Sequence, residues 1–305
     1  MLLFRMSNTL RAYTYATIAT ILVAGSFLAS AKLSGAIDPI SLTLLRFVVA
    51  LFFMLPLVLF KPQRFKTVLH LLPKSSIISL FYALYFVAMF KALESTTTLN
   101  TGSIYTLTPL LTALLALAVF KERIPPFQLL VYIIGILSTL IVVFRADLTL
   151  FLALVLNAGD LIFFLATISM ALYSITLKLL FKSSDDIISQ VFATLISGSL
   201  WMALALYMFD IPLEWHTLSS DLLFAMLYLV VGTTIFTLFL YQKSILLAGP
   251  KKIMAFIYTN PALVAIIGYF FEGETLSAGV VGGIVLSVSS TILILGYNDA
   301  KKSKI

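Results

Sequence analysis

The chain has no cysteine among its 305 residues and only two histidines, His70 and His216, both in polar connecting stretches. Disulfides and iron–sulfur centres are thereby excluded, and a zinc site built from Cys and His has too few ligands. Charge is scarce as well: Asp, Glu, Lys and Arg fill 11% of positions, against roughly 25% in an ordinary soluble domain. His-Glu-x-x-His, Gly-x-Ser-x-Gly, paired membrane aspartates and a P-loop are all missing. An intramembrane enzyme therefore has no catalytic constellation to work with, and ATP-driven pumping by this chain has no motor.

What fills the chain instead is apolar: 61% hydrophobic residues and a mean hydropathy of +1.10. Crossing roughly 30 Å of hydrocarbon takes about 20 apolar residues. Ten such runs lie near 12–32, 39–60, 73–93, 98–120, 126–145, 150 or 160–181, 187–209, 221–243, 250–271 and 276–297. The sixth has two possible starts, because apolar residues flank Asp160 on both sides. The first has a basic lead-in and an Ala29-Ser30-Ala31 end resembling a signal-peptidase site, but its length and its internal counterpart predict an uncleaved helix. The formal charge of +7 is carried by basic residues scattered singly between runs, the pattern of loop charges that orient helices and not of a nucleic-acid surface. With the N-terminus cytoplasmic, sixteen Lys and Arg fall inside and three, Lys32, Lys91 and Arg145, outside, so both termini are expected to be cytoplasmic.

A repeat runs through the chain. Thr106–Ile124 reads "TLTPLLTALLALAVFKERI" and Tyr258–Leu276 reads "YTNPALVAIIGYFFEGETL". At this offset of 152 residues Pro109 meets Pro261, Glu122 meets Glu274 and Lys91 meets Lys243; at 146, span six falls on span one. The pattern predicts an all-α polytopic membrane protein of ten transmembrane helices, arranged as two inverted five-helix repeats, 1–146 and 147–305. An odd number of helices per copy sends the second copy in from the opposite side, the architecture of alternating-access carriers with a central site between the halves. Glu122 and Glu274 then read as helix-end markers on opposite faces.

With these residues in view, the sequence is similar to the EamA-type branch of the drug/metabolite transporter superfamily over essentially its whole length. The resemblance is carried by Arg46-Phe47, by the two Pro-to-Glu segments, by "NAGDL" at Asn157–Leu161, and by "LVVGTTIFTLFLYQKSI" in span eight. Two departures, Ala24-Gly25 where the family has an aromatic-Gly pair and Glu-Gly-Glu where it has Leu-Gly-Glu, leave the substrate subgroup open. The resemblance implies transport outward across the cytoplasmic membrane.

Candidate contacts follow from residues that are costly in a membrane. Pro109 and Pro261 deprive the carbonyls of Tyr105 and Ile257 of their helical partners, so each is a hinge and cavity wall or a packing kink patched by a Thr or Ser hydroxyl. Tyr105 and Thr108 in one copy, Tyr258 and Asn260 in the other, flank them and are the first choice for substrate contacts. Arg46 is the basic residue well inside a span, where it costs at least about 2.5 kcal/mol; it is either a carboxylate clamp or a structural brace. Tyr82, Tyr85 and Phe86 in span three, with Phe239 and Tyr241 in span eight, line an amphipathic cavity or simply pack. Lys91 and Glu94 pair locally, and Asp160 reads as a helix N-cap. No carboxylate falls at mid-membrane, so a coupling proton and facilitated diffusion both stay open.

The expectation is a secondary transporter of small metabolites, amino acids or related amphipathic compounds, moving between lipid-bounded compartments without a cofactor. The competing reading is uptake of a scavenged nucleoside derivative, cofactor or amine by facilitated diffusion or exchange; monomer and homodimer are equally open.

Overall fold

The computed structural model describes residues 7–271 and 275–297. Glu274 and the terminal basic residues Arg5, Lys301, Lys302 and Lys304 lie outside the described residues. Helix is the regular structure throughout the described residues. The long helices are α1 (Asn8–Leu33), α2 (Pro39–Leu59), α3 (Pro62–Leu93), α4 (Thr98–Phe120), α5 (Pro126–Val143), α6 (Ala158–Leu180), α7 (Ile187–Phe209), α8 (Ser220–Ala248) and α10 (Ala278–Gly296). These nine are long and apolar enough to cross a bilayer. The remaining expected crossing, α9, is helical from 250 to 271 but in three pieces, Pro250–Met254, Ala255–Thr259 and Asn260–Phe271, so among the described residues nine of the ten expected spans are helices of membrane-crossing length.

The ends are fixed by residues whose chemistry suits them. Pro39, Pro62 and Pro126 start α2, α3 and α5, where a missing N–H costs nothing. Ser7, Asp38, Asp186 and Ser277 cap α1, α2, α7 and α10 by accepting first-turn N–H groups. The start of the third helix and the cap of the sixth differ from the sequence reading, and the two possible starts of the sixth are resolved. The third helix begins at Pro62 and runs through Pro73, which places His70 within it; at 1.5 Å per residue its 32 residues span about 48 Å, so its first turns lie beyond the hydrocarbon. The sixth begins at Ala158, and Leu148–Leu152 before it is a separate short helix with exposed leucines. The cap of α6 is Asn157; Asp160 is its reciprocal partner three residues on, closing a capping box.

The bundle exposes large apolar side chains and buries polar ones within a largely apolar core. Phe52, Leu200 and Phe224 are more than 60% exposed, while Arg46, Gln190, Gln242 and Asp160 are buried. That inversion suits a lipid solvent, which takes Leu and Phe freely and leaves polar groups to find partners within the protein. The helices pack in related pairs: α3 on α6 and α1 on α8, α3 on α7 and α2 on α8, with α2 on α7, α4 on α9 and α5 on α10. Small residues set the close approaches, as where Ala12, Ala16 and Ala19 of α1 are fully buried and Ser244 of α8 donates to the Ala12 carbonyl at 2.9 Å.

Both proline sites are breaks rather than smooth kinks. In α4, the Thr106 and Leu107 N–H groups bond three residues back to Ser103 and Ile104, and the Tyr105 carbonyl freed by Pro109 accepts from Thr108 Oγ1 at 2.8 Å. In α9, Ala255–Thr259 tightens to a 3₁₀ turn and the Ile257 carbonyl takes the Asn260 N–H. The carbonyls are thus satisfied within the helix, so neither proline obliges the substrate to fill in.

Candidate functional site

Arg46 lies on α2 about 10 Å below its first residue at the rise of a helix, and is 1% exposed. Its guanidinium crosses to the middle of α8, where Leu229–Phe236 winds as a π-helical stretch. Nε donates to Thr234 Oγ1, and Nη2 donates to Thr233 Oγ1 at 2.9 Å. The two hydroxyls are oriented to receive them. Both give their own protons to the Leu229 carbonyl, at 3.0 and 2.9 Å, which leaves their lone pairs facing the arginine. The wide π turn brings two consecutive threonines onto one carbonyl and one guanidinium. The Phe86 ring centroid lies 4.0 Å from the guanidinium carbon, a cation–π contact. Nη1 is buried with no hydrogen-bond partner, and among the described residues no carboxylate forms an ion pair with Arg46.

Around this cation the structure gathers Tyr82, Tyr85, Phe86, Tyr105, Tyr173 and Tyr241, from α3, α4, α6 and α8. Their rings touch in series: Tyr82 to Phe86 at 4.8 Å, Tyr85 to Phe86 at 5.0 Å, Tyr82 to Tyr173 at 5.0 Å and Tyr85 to Tyr105 at 6.2 Å. Tyr241 shares a 3.0 Å hydrogen bond with Thr20 of α1. The chamber they enclose measures about 40 Å³, roughly the share of one water.

A second, larger cavity of about 280 Å³ adjoins it between α1, α4, α5, α9 and α10. Its floor holds Ile257, Asn260 and Thr106; its rim, at the end of the bundle where α4 begins, holds Thr98, Arg145 and Thr275. Tyr105 belongs to the walls of both cavities, with Phe27 edge-on against it at 5.5 Å. It is the last residue of the first segment of α4, immediately before the break. Asn260 is 4% exposed and its Oδ1 has no hydrogen-bond partner, a deficit worth about 1–3 kcal/mol.

The residues singled out from sequence divide accordingly. Arg46, Tyr82, Tyr85, Tyr105 and Tyr241 meet at the chamber; Asn260 and Pro261 line the second cavity, which Tyr105 also touches. Thr108 and Pro109 are buried and line neither, the threonine being committed to the Tyr105 carbonyl. Tyr258 is placed away from both. Its hydroxyl donates to the Tyr132 carbonyl at 3.0 Å, and its ring fills the space a side chain would need at Gly135. A Cβ there would stand 2.5 Å from that ring, so Gly135→Ala is expected to lower stability by about 1–3 kcal/mol, read as a fall in the melting temperature in detergent. Phe239 also lies outside the chamber, whereas Tyr173, Thr233 and Thr234 were not foreseen as contacts. The adjacent threonines of "VGTT" at mid-span were the available signal.

At the opposite end the halves are tied together. Lys251, 2% exposed at the start of α9, is 3.4 Å from Glu122 just beyond α4, and Arg64 of α3 is 3.2 Å from Asp186 at the cap of α7. Lys91 and Glu94 pair locally at 2.6 Å, as their spacing predicted.

An apolar-surfaced helical bundle with a buried cation in an aromatic chamber and a cavity leading toward it from one end defines a polytopic membrane protein of the transporter class. The EamA-like transporter family model matches residues 10–144 and again 157–296, and the chain belongs to that family. It is 24% identical over 230 residues to the "Uncharacterized transporter YyaM" of Bacillus subtilis (strain 168), covering 74% of each chain. One solved crystal structure shares its fold with a TM-score of 0.66 at 18% identity, covering 95% of this chain and 97% of the other.

Proposed function

We propose that the protein is a secondary carrier that moves small amphipathic metabolites bearing a carboxylate, amino acids foremost, outward across the cytoplasmic membrane by alternating access. Arg46 carries this reading. A buried guanidinium with two fixed hydroxyl partners, one aromatic face and one unpaired nitrogen is complementary to a carboxylate on a molecule with an apolar body. The same positive centre, with no carboxylate in the chamber wall, disfavours amines as cargo.

Two inverted five-helix units, 1–146 and 147–305, support the motion. Exchanging the first five helices for the last five returns the seven packing pairs named above, and the family model matches once in each unit. With both termini cytoplasmic, the Glu122–Lys251 and Arg64–Asp186 pairs close the inner end while the 280 Å³ cavity faces outward. Closing that cavity and parting those pairs is the other state. The breaks at Pro109 and Pro261 are the points at which α4 and α9 can bend.

Purified protein in proteoliposomes loaded with unlabelled L-phenylalanine should accumulate the labelled compound by saturable counterflow. Linear uptake without trans-stimulation would instead indicate a channel. Pro109→Ala supplies an N–H to the Tyr105 carbonyl and competes with the tightened turn, so exchange should slow at least about tenfold while half-saturation shifts less than about threefold. Pro261→Ala should act alike; unchanged rates in both variants would remove the hinge assignment.

A further inference from the structure

The chamber around Arg46 has room for about one water, whereas the neighbouring cavity has room for about nine. Of these two, the cavity beyond Tyr105 is therefore the one with room for a molecule the size of an amino acid in this conformation. The larger cavity is built to hold one. Leu99, Val142, Ile257 and Val264 make an apolar wall, and Asn260 lines the floor with a buried Oδ1 that has no hydrogen-bond partner, an acceptor that a turn of the amide brings to the cavity. Asn260 also caps the 3₁₀ turn of α9 with its own N–H, which fixes its backbone at the break.

We propose that this cavity is a second binding site, distinct from the Arg46 chamber, for a zwitterion with an apolar side chain. Its ammonium donates to Asn260 Oδ1 and its apolar body lies against the wall from Leu99 to Val264. Tyr105, at the hinge of α4, separates this site from the chamber in which the carboxylate meets Arg46. The ligand's chemistry rests on the carrier reading, while the existence of the site rests on the cavity and on the unpaired acceptor. The order of events is then binding at Asn260, displacement of Tyr105, and transfer to Arg46, or the reverse on the way out.

The absence of cysteine makes a direct test possible. Val264→Cys puts a single thiol on the cavity wall, at a residue 40% exposed. Its modification by a small methanethiosulfonate is followed in nanodiscs with L-phenylalanine as the probe. Phenylalanine should slow modification at least about fivefold, and equally when Arg46→Gln is added. Adding Asn260→Leu should raise the half-protecting concentration at least about tenfold, with the uninhibited modification rate as the check that the cavity is intact. No protection, protection lost with Arg46→Gln, or protection indifferent to Asn260→Leu would each overturn the second site. Protection retained in protein that shows no counterflow would refute the carrier reading and leave the site standing.

Discussion

Arg46→Gln is expected to reduce counterflow of a carboxylate-bearing amino acid by about two orders of magnitude while leaving the amount of folded protein unchanged. Removing one partner of a buried charge pair costs roughly 2–5 kcal/mol; a value of about 3 kcal/mol corresponds to about 150-fold in affinity. Without cargo, Arg46 is a cation held by two neutral hydroxyls and a ring, with no carboxylate paired to it among the described residues. Neutralising it lifts a desolvation cost as it removes those contacts, so the melting temperature of the empty protein should move by only a few degrees. Arg46→Lys keeps the charge but loses the planar fork, and should recover only part of the transport. The measurement that separates a clamp from a brace is the stabilisation conferred by phenylalanine. A clamp loses the part of that shift supplied at the chamber, so Arg46→Gln keeps only the share that binding beside Asn260 supplies and that Asn260→Leu removes; a brace loses baseline stability first and keeps the full shift in whatever protein remains folded.

The helices could be read from the sequence because lipid imposes a simple rule, long apolar runs with charge at their ends, and capping residues such as Asp38 and Ser277 mark the boundaries. The apolar run at 73–93 shows less than the whole of α3, which starts at Pro62: a helix that leaves the hydrocarbon needs no further hydrophobicity, so its first turns carry no apolar signal. The sixth helix was ambiguous for the converse reason, since the apolar Leu148–Leu152 segment is its own short helix. Arg46 and the tyrosines of α3 were identifiable because a buried arginine is expensive wherever it sits in a span. Tyr258 could not be told from Tyr105 by spacing alone. Both precede a proline, but Gly135 on a helix distant in sequence leaves a hole that takes the Tyr258 ring. Asn260 was identifiable by residue type; its unpaired oxygen, and the division of one expected cavity into two by Tyr105, are properties of packing between α1, α4 and α9 that no single run encodes.

Thr233 and Thr234 lead to the largest expected change in stability. Replacing both by valine preserves shape and helix-compatible branching but removes the two acceptors of Nε and Nη2, leaving a buried guanidinium with the Phe86 face as its remaining described contact. Stranding a buried charge costs about 3–5 kcal/mol, so the double variant should melt well below the parent. The same change deprives the Leu229 carbonyl of both hydroxyl donors and loosens the π-helical stretch. Adding Arg46→Met separates the two effects. If the threonines act by solvating the arginine, the triple variant has no charge left to strand and should regain most of the lost stability while remaining inactive in counterflow. If they act by holding the π turn, the triple variant should stay as unstable as the double. Coupling between sites in contact is ordinarily about 0.5–3 kcal/mol. A recovery at or above the top of that range would identify Arg46 as the reason for the threonine pair, since no packing term between Met and Val approaches it.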